Sequence, residues 1–244
     1  MRAIQLILIT LTALSGCTKN NFPPVQQQST DTTTTTKPMA TPVTYLALGD
    51  SYTIGERVPQ LQSFPYQLTT LLNTFKLDVQ PPDIIAVTGW TTDDLISAIS
   101  RSTFKTKKYD FVTLLIGVND QYQGRSKDNY RTKFVQLLHT AINFAQGDTS
   151  RVFVVSIPDW GVTPFAGGRD SVIGPEIDEF NAINREETAK GHVHNYIDIT
   201  PVSRQAATDL TLVAEDGLHP SGAMYKLWVD AIEPSVRARL EKVK

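Results

Sequence analysis

From Val43 onward the chain alternates between two kinds of pattern. Five short segments read as strands: Val43–Leu48 and Tyr109–Ile116, continuous apolar runs as expected of strands buried on both faces, and Asp83–Val87, Arg151–Ile157 and Val193–Ile199. Between them apolar residues recur at three- and four-residue spacing, which predicts amphipathic helices. Ser63–Thr74 carries Phe64, Leu68, Leu71, Leu72 and the following Phe75 at this spacing, with Pro65 acceptable in the first turn. Thr91–Ser100 brings Leu95, Ile96 and Ile99 together behind an N-cap at Thr91 or Thr92. Tyr130–Ala145 aligns Tyr130, Phe134, Leu137, Leu138 and Ala141, and Gly174–Lys190 is helical with a polar outer face. A last helix begins near Ser221, with Met224, Leu227, Trp228, Ala231 and Ile232 as its core face, and Pro234 is expected to kink or end it.

Strands that alternate with helices at this spacing predict an α/β fold, a three-layer sandwich around a mostly parallel five-stranded sheet with right-handed crossovers. Composition adds bounds. Of 244 residues, 23 are basic and 25 acidic, a net charge of −2, so no basic excess supports nucleic-acid binding. Residues 43–244 suffice for one domain with a sizeable core. A monomer is expected.

The first 42 residues break the pattern. Met1-Arg2 precedes a short apolar stretch, Ala3 to Leu14, which is too short to span a bilayer and has the length of a signal-peptide core. It ends Leu14-Ser15-Gly16-Cys17, which resembles the bacterial lipobox. That resemblance implies a signal peptide over 1–16 and a lipid-modified Cys17, the only cysteine, anchoring the protein in the cell envelope. Residue 18 is Thr rather than the Asp of an inner-membrane retention signal, which points to the outer membrane. Residues 17–42, with a run of five threonines at Thr32–Thr36, read as a disordered tether.

In a parallel sheet ligands bind beyond the carboxyl ends of the strands. The residues there are Gly49-Asp50-Ser51-Tyr52, Val87-Thr88-Gly89-Trp90, Gly117-Val118-Asn119-Asp120 and Pro158-Asp159-Trp160-Gly161, with Asp216-Gly217-Leu218-His219-Pro220 just ahead of the last helix. Together they meet the needs of acyl transfer. A serine hydroxyl requires a base, and His219 can serve. The imidazole requires an orienting acceptor, and Asp216 can hold Nδ1. The oxyanion requires fixed donors: the backbone N–H groups of Ser51 and Gly89 and the side-chain amide of Asn119. Read singly, Ser51 is also a helix-cap residue, Gly89 and Asn119 are turn residues, and Asp216 and His219 cap a helix. Asp50 and Asp120 read as structural acids that bond loop backbone. Trp90, Trp160 and Phe165 either line a substrate pocket or pack under loops. No Gly-x-Ser-x-Gly is present, and Asp lies only three residues before His, so the scaffold differs from that of the α/β-hydrolases.

These blocks resemble those of the SGNH (GDSL) hydrolases over Val43 to Leu240, with Tyr52 where the name-giving Leu often stands. The block that holds Gly89 is assigned from its place after the second strand. The resemblance implies a flavodoxin-like fold and a metal-independent, cofactor-free serine esterase acting on lysophospholipid, acyl-thioester or acetylated polysaccharide. A non-catalytic surface lipoprotein that binds glycan or lipid in the same cleft is the rival, against which the joint presence of Ser51, Asp216 and His219 argues. His139 reads as a surface or boundary residue. His192 and His194 alternate as on a strand but have no third ligand nearby in sequence. Glu186-Glu187 and Lys107-Lys108 read as solvated faces.

Overall fold

The computed structural model of the protein describes residues 41–242. The expected signal segment, Cys17 and all but the last two residues of the 17–42 tether lie outside the described residues.

Five strands, β1 (Tyr45–Gly49), β2 (Asp83–Ala86), β3 (Phe111–Leu115), β4 (Val152–Val155) and β5 (Tyr196–Ile197), form one sheet in the order β2-β1-β3-β4-β5. Every pairing is parallel; Ala47 lies level with Ile84 on one side and with Thr113 on the other. β1, β3 and β4 are buried along their whole length, which is why they are written as continuous apolar runs. Tyr45 stacks on Phe111 with 4.2 Å between ring centroids, and its hydroxyl lies 2.8 Å from Thr113 Oγ1, so the polar atoms carried into the interior satisfy each other.

The helices are α1 (Ser51–Ile54), α2 (Phe64–Thr74), α3 (Thr92–Arg101), α4 (Val118–Tyr122), α5 (Lys127–Phe144), α6 (Asp170–Lys190), α7 (Thr200–Ser203) and α8 (Gly222–Glu241). α2 packs on α8, while α3 packs on α5 and α5 on α6, which gives the two outer layers. Thr91 caps α3 in a reciprocal box with Asp94: Thr91 N–H donates to Asp94 Oδ2 at 3.0 Å, and Asp94 N–H donates back to Thr91 Oγ1 at 3.4 Å. Trp228 and Tyr225 are wholly buried in α8. Among the described residues no helix is long and apolar enough to cross a membrane.

Several expected boundaries move. The run Val193–Ile199 pairs as a strand only at Tyr196 and Ile197; just before them the Asn195 carbonyl accepts from Val154 N–H, and the Asn195 side chain donates to the carbonyls of Ser150 and Val152. His192 sits in a left-handed turn at φ 56°, so it and His194, both exposed, do not lie on a strand. α6 starts at Asp170 and contains Gly174 and Pro175 in its second turn. The glycine leaves room for Asp159 Oδ2, which a side chain there would crowd. α8 runs through Pro234 to Glu241, because Ile232, Val236 and Leu240 stay buried beyond the proline, and packing outweighs one lost backbone hydrogen bond. Glu187 is not solvated: it is buried, and both Arg131 and Lys190 bond its carboxylate.

Candidate active site

The chain leaves β1 for β2 on one side and returns past it to β3 on the other, so the strand order reverses between β1 and β3. Crevices form at such a point, outside the carboxyl ends of the two strands. Gly49 makes the exit from β1 possible, since a side chain there would run into Thr53 Oγ1 and the Leu115 carbonyl. Asp50 then caps α1, its Oδ1 accepting from Tyr52 N–H at 3.0 Å. Ser51 is therefore the first helical residue rather than the cap, and its N–H belongs to the turn whose donors have no partner inside the helix. Gly117 does the same work after β3. At φ 128°, with Tyr130 and Ile157 where a Cβ would be, only glycine fits, and α4 then places Asn119 beside the β1 exit.

A cavity of about 210 Å³ opens there, walled by Ser51, Gly89 and Asn119 on its polar side and by His219, with Tyr122, Trp160 and Phe165 on its aromatic side. Ser51 is only 5 % exposed and His219 9 %, so both reach solvent through the cavity rather than from the open surface. His219 Nδ1 lies 2.6 Å from Asp216 Oδ2, and Asp216 Oδ1 accepts from the backbone N–H groups of Leu218 and His219, each at 3.0 Å. Burial pushes the Asp216 carboxyl upward. The hydrogen bond from His219 and the two backbone bonds outweigh it, and the carboxyl is held below its usual range. An ionised Asp216 on Nδ1 leaves Nε2 as the basic nitrogen. The Tyr52 ring meets the imidazole edge-on at 5.8 Å, so Tyr52 walls His219 from inside.

Asn119 Nδ2 donates to the Trp90 carbonyl at 2.9 Å; an amide carries two N–H groups, which leaves one for the cavity. Gly89 stands at φ 82° with nothing within 4 Å of the place a side chain would take, so its backbone faces open space on the cavity wall. Trp160 and Phe165 line the cavity, but Trp90 does not. Its ring packs against the core and its carbonyl orients Asn119. Trp160 is held by its indole N–H donating to Gln121 Oε1 at 2.8 Å, and Phe165 N–H donates to the Gly217 carbonyl, which ties the aromatic wall to the loop of Asp216 and His219.

Asp120 is buried and accepts from Thr92 N–H at 2.9 Å and Thr92 Oγ1 at 2.7 Å, joining α4 to the start of α3. Burial raises its pKa against those bonds. Asp50 is wholly buried with Oδ2 unpartnered; burial pushes its pKa up to about 8, the Tyr52 N–H opposes, and the nearby Asp120 adds to the rise. Both acids shape loops, and burial favours the protonated form of Asp50. Thr88, Val118 and Leu218, from the strand-end segments, also line the cavity, as does Tyr122, which lies beyond them. The signal for Tyr122 is its spacing three residues after Asn119, which puts both on one helical face once α4 is recognised.

A parallel sheet of order 2-1-3-4-5, with Ser, Gly, Asn and an Asp–His pair gathered at its reversal point, defines an ester hydrolase of the SGNH type. The chain belongs to the GDSL-like lipase/acylhydrolase family, whose model matches residues 47–227, and it is a carboxylic ester hydrolase. A search of curated proteins returned no match. Among solved structures the fold is similar to that of TesA (TM-score 0.62, 17 % identity, covering 80 % of this chain and 99 % of that one). It is similar too to the acetylxylan esterase Axe2 from Geobacillus stearothermophilus (TM-score 0.62, 16 % identity, 80 % and 94 % covered). The psychrotrophic esterase EstA from Pseudoalteromonas sp. is a third (TM-score 0.61, 16 % identity, 82 % and 99 % covered).

Proposed function

We propose that Ser51 is the nucleophile of this hydrolase, with His219 as its base and Asp216 as the group that orients it. His219 Nε2 takes the Ser51 proton as Oγ attacks the ester carbonyl. The tetrahedral oxyanion is held by the N–H groups of Ser51 and Gly89 and by the free N–H of Asn119. The intermediate collapses as His219 protonates the leaving alcohol, and water releases the acyl group by the reverse path. The observation that carries this reading is the 2.6 Å Asp216–His219 contact on the wall of the cavity that Ser51 also lines. The test is Ser51→Ala assayed on a short chromogenic ester; hydrolysis at the wild-type rate would end the assignment.

The cavity is smaller than the range of about 300–1,000 Å³ typical of sites that enclose a drug-sized ligand, which favours a short acyl group and hence deacetylation of a polysaccharide. The rim supports a second reading. Tyr122 and Phe165 are 58 % and 48 % exposed, and such an apolar rim suits the chain of a lysophospholipid or acyl-thioester. A profile over acyl length separates them: activity confined to acetyl supports the first, and a rise toward C8 supports the second. Anchoring through Cys17 in the outer membrane is part of the proposal; incorporation of a labelled fatty acid into wild type but not Cys17→Ala, in the outer-membrane fraction, tests it. A monomer is proposed as well, to be checked by light scattering.

A further inference from the structure

Gly89 offers its N–H from a segment with little to hold it. Val87, Thr88 and Gly89 are all exposed, and no atom lies within 4 Å of where a Gly89 side chain would be. An oxyanion donor is effective only when it is fixed before the reaction, because its worth comes from costing no reorganisation at the transition state. Packing does not fix this loop, so hydrogen bonds must.

Three such bonds are present. Trp90 N–H donates to the Val87 carbonyl at 3.3 Å, which closes the turn on itself, and Asn119 Nδ2 donates to the Trp90 carbonyl. The third crosses the mouth of the site: Thr88 Oγ1 donates to Glu56 Oε2 at 2.5 Å. Glu56 is placed by the nucleophile itself, since its backbone N–H donates to the Ser51 carbonyl at 3.0 Å. Next to it, Arg57 holds a left-handed backbone at φ 67°, unusual for a non-glycine residue. Its Nε stands 3.6 Å from Glu56 Oε1 and 3.8 Å from Asp216 Oδ2. The four side chains Thr88, Glu56, Arg57 and Asp216 thus connect the segments that carry the oxyanion donor, the nucleophile and the orienting acid.

We propose that Glu56 is a positioning residue that fixes the Gly89 loop against the Ser51 segment through Thr88, and that this clasp sets the oxyanion geometry. The proposal rests on the reading of Gly89 as an oxyanion donor. Glu56 does not line the cavity, so it stands outside the pocket that takes the acyl group of a small ester. Cutting the clasp leaves substrate binding in place and loosens a group needed only in the transition state, so kcat falls while KM holds.

The experiment compares wild type, Glu56→Ala, Glu56→Gln, Thr88→Val and the Glu56→Ala/Thr88→Val double variant on a chromogenic acetate ester, with thermal unfolding of each and Ser51→Ala alongside. Removing an oxyanion donor outright costs about 10²–10³ in kcat, so a loosened donor is expected to cost about tenfold. The expected result is a kcat about tenfold lower in Glu56→Ala, KM within about threefold and an unchanged melting temperature. Glu56→Gln, which keeps an acceptor for Thr88, recovers most of the loss. The double variant is no slower than the slower single variant, because both remove the same bond. The clasp is overturned by wild-type kcat in Glu56→Ala, by no recovery in Glu56→Gln, or by additive losses in the double variant. If Ser51→Ala still hydrolyses the ester, the reading of the cavity itself fails. If Ser51→Ala is inactive while Glu56→Ala is unaffected, only the clasp fails.

Discussion

Replacing Asp50 by asparagine tests the electrostatics under the nucleophile. In the folded protein Asp50 is fully buried, one oxygen bonded by the Tyr52 N–H and the other unpartnered, and burial raises its pKa from 3.8 to about 8. Above about pH 4 the unfolded chain releases this proton while the folded chain keeps it. The native state then binds more protons than the unfolded state, so stability falls as pH rises and levels off once the folded carboxyl ionises near pH 8. At about 1.4 kcal/mol per pH unit, a rise of about four units amounts to roughly 5 kcal/mol by pH 8. Asparagine keeps an oxygen for the Tyr52 N–H and stays neutral at every pH, so Asp50→Asn lacks this loss. Urea unfolding of both proteins from pH 4.5 to 9 reads it out, and taking the difference between them cancels the titrations they share. The variant's advantage over wild type should be about 1 kcal/mol or less near pH 4.5 and grow to several kcal/mol by pH 8. A difference that stays flat over this range would show that Asp50 ionises as it does in the unfolded chain, and would refute the reasoning.

Three further outcomes follow from the site and the core. Asn119→Ala removes one oxyanion donor and should lower kcat by about 10²–10³ with KM little changed, read from steady-state kinetics on a short ester. Asp216→Asn leaves the loop bonds possible but no longer holds the productive tautomer of His219; a loss in kcat on the order of 10⁴ is expected at neutral pH, in the same assay. Trp228 is fully buried in α8 against Tyr225 and Tyr52, so Trp228→Ala should cost about 3–5 kcal/mol of stability in a denaturant melt.

What the sequence reveals and what it hides divide along physical lines. Central strands such as Phe111–Leu115 and Val152–Val155 announce themselves because burial on both faces admits a polar residue only where it finds a partner, as Thr113 does in the Tyr45 hydroxyl. The reversal point is legible too: the ends of β1, β2 and β3 each carry a glycine beside polar residues, and the parallel topology brings those ends together. The short helices α1 and α4 are not legible, since four or five residues contain too little of a 3.6-residue period. With α4 hidden, Tyr122 had no face to share with Asn119. Trp90 keeps two readings in the sequence because following a strand does not determine where a side chain points; here the carbonyl bonds Asn119 and the ring packs against the core. Pro234 does not end its helix, because local propensity yields to burial when Val236 and Leu240 lie beyond it. Glu187 looked solvated because its partner Arg131 is 56 positions away, a pairing no local pattern records. The Glu56–Thr88 bond, across 32 positions, is hidden for the same reason.

The central claim is that Ser51, activated by His219, forms a covalent acyl-enzyme. The most direct measurement is mass spectrometry after treatment with an alkyl fluorophosphonate, with peptide mapping, on wild type and on His219→Ala. One adduct per chain on Ser51, formed at a rate that collapses in His219→Ala, is the predicted result. An adduct on another residue, or labelling of Ser51 at the same rate without His219, would contradict it.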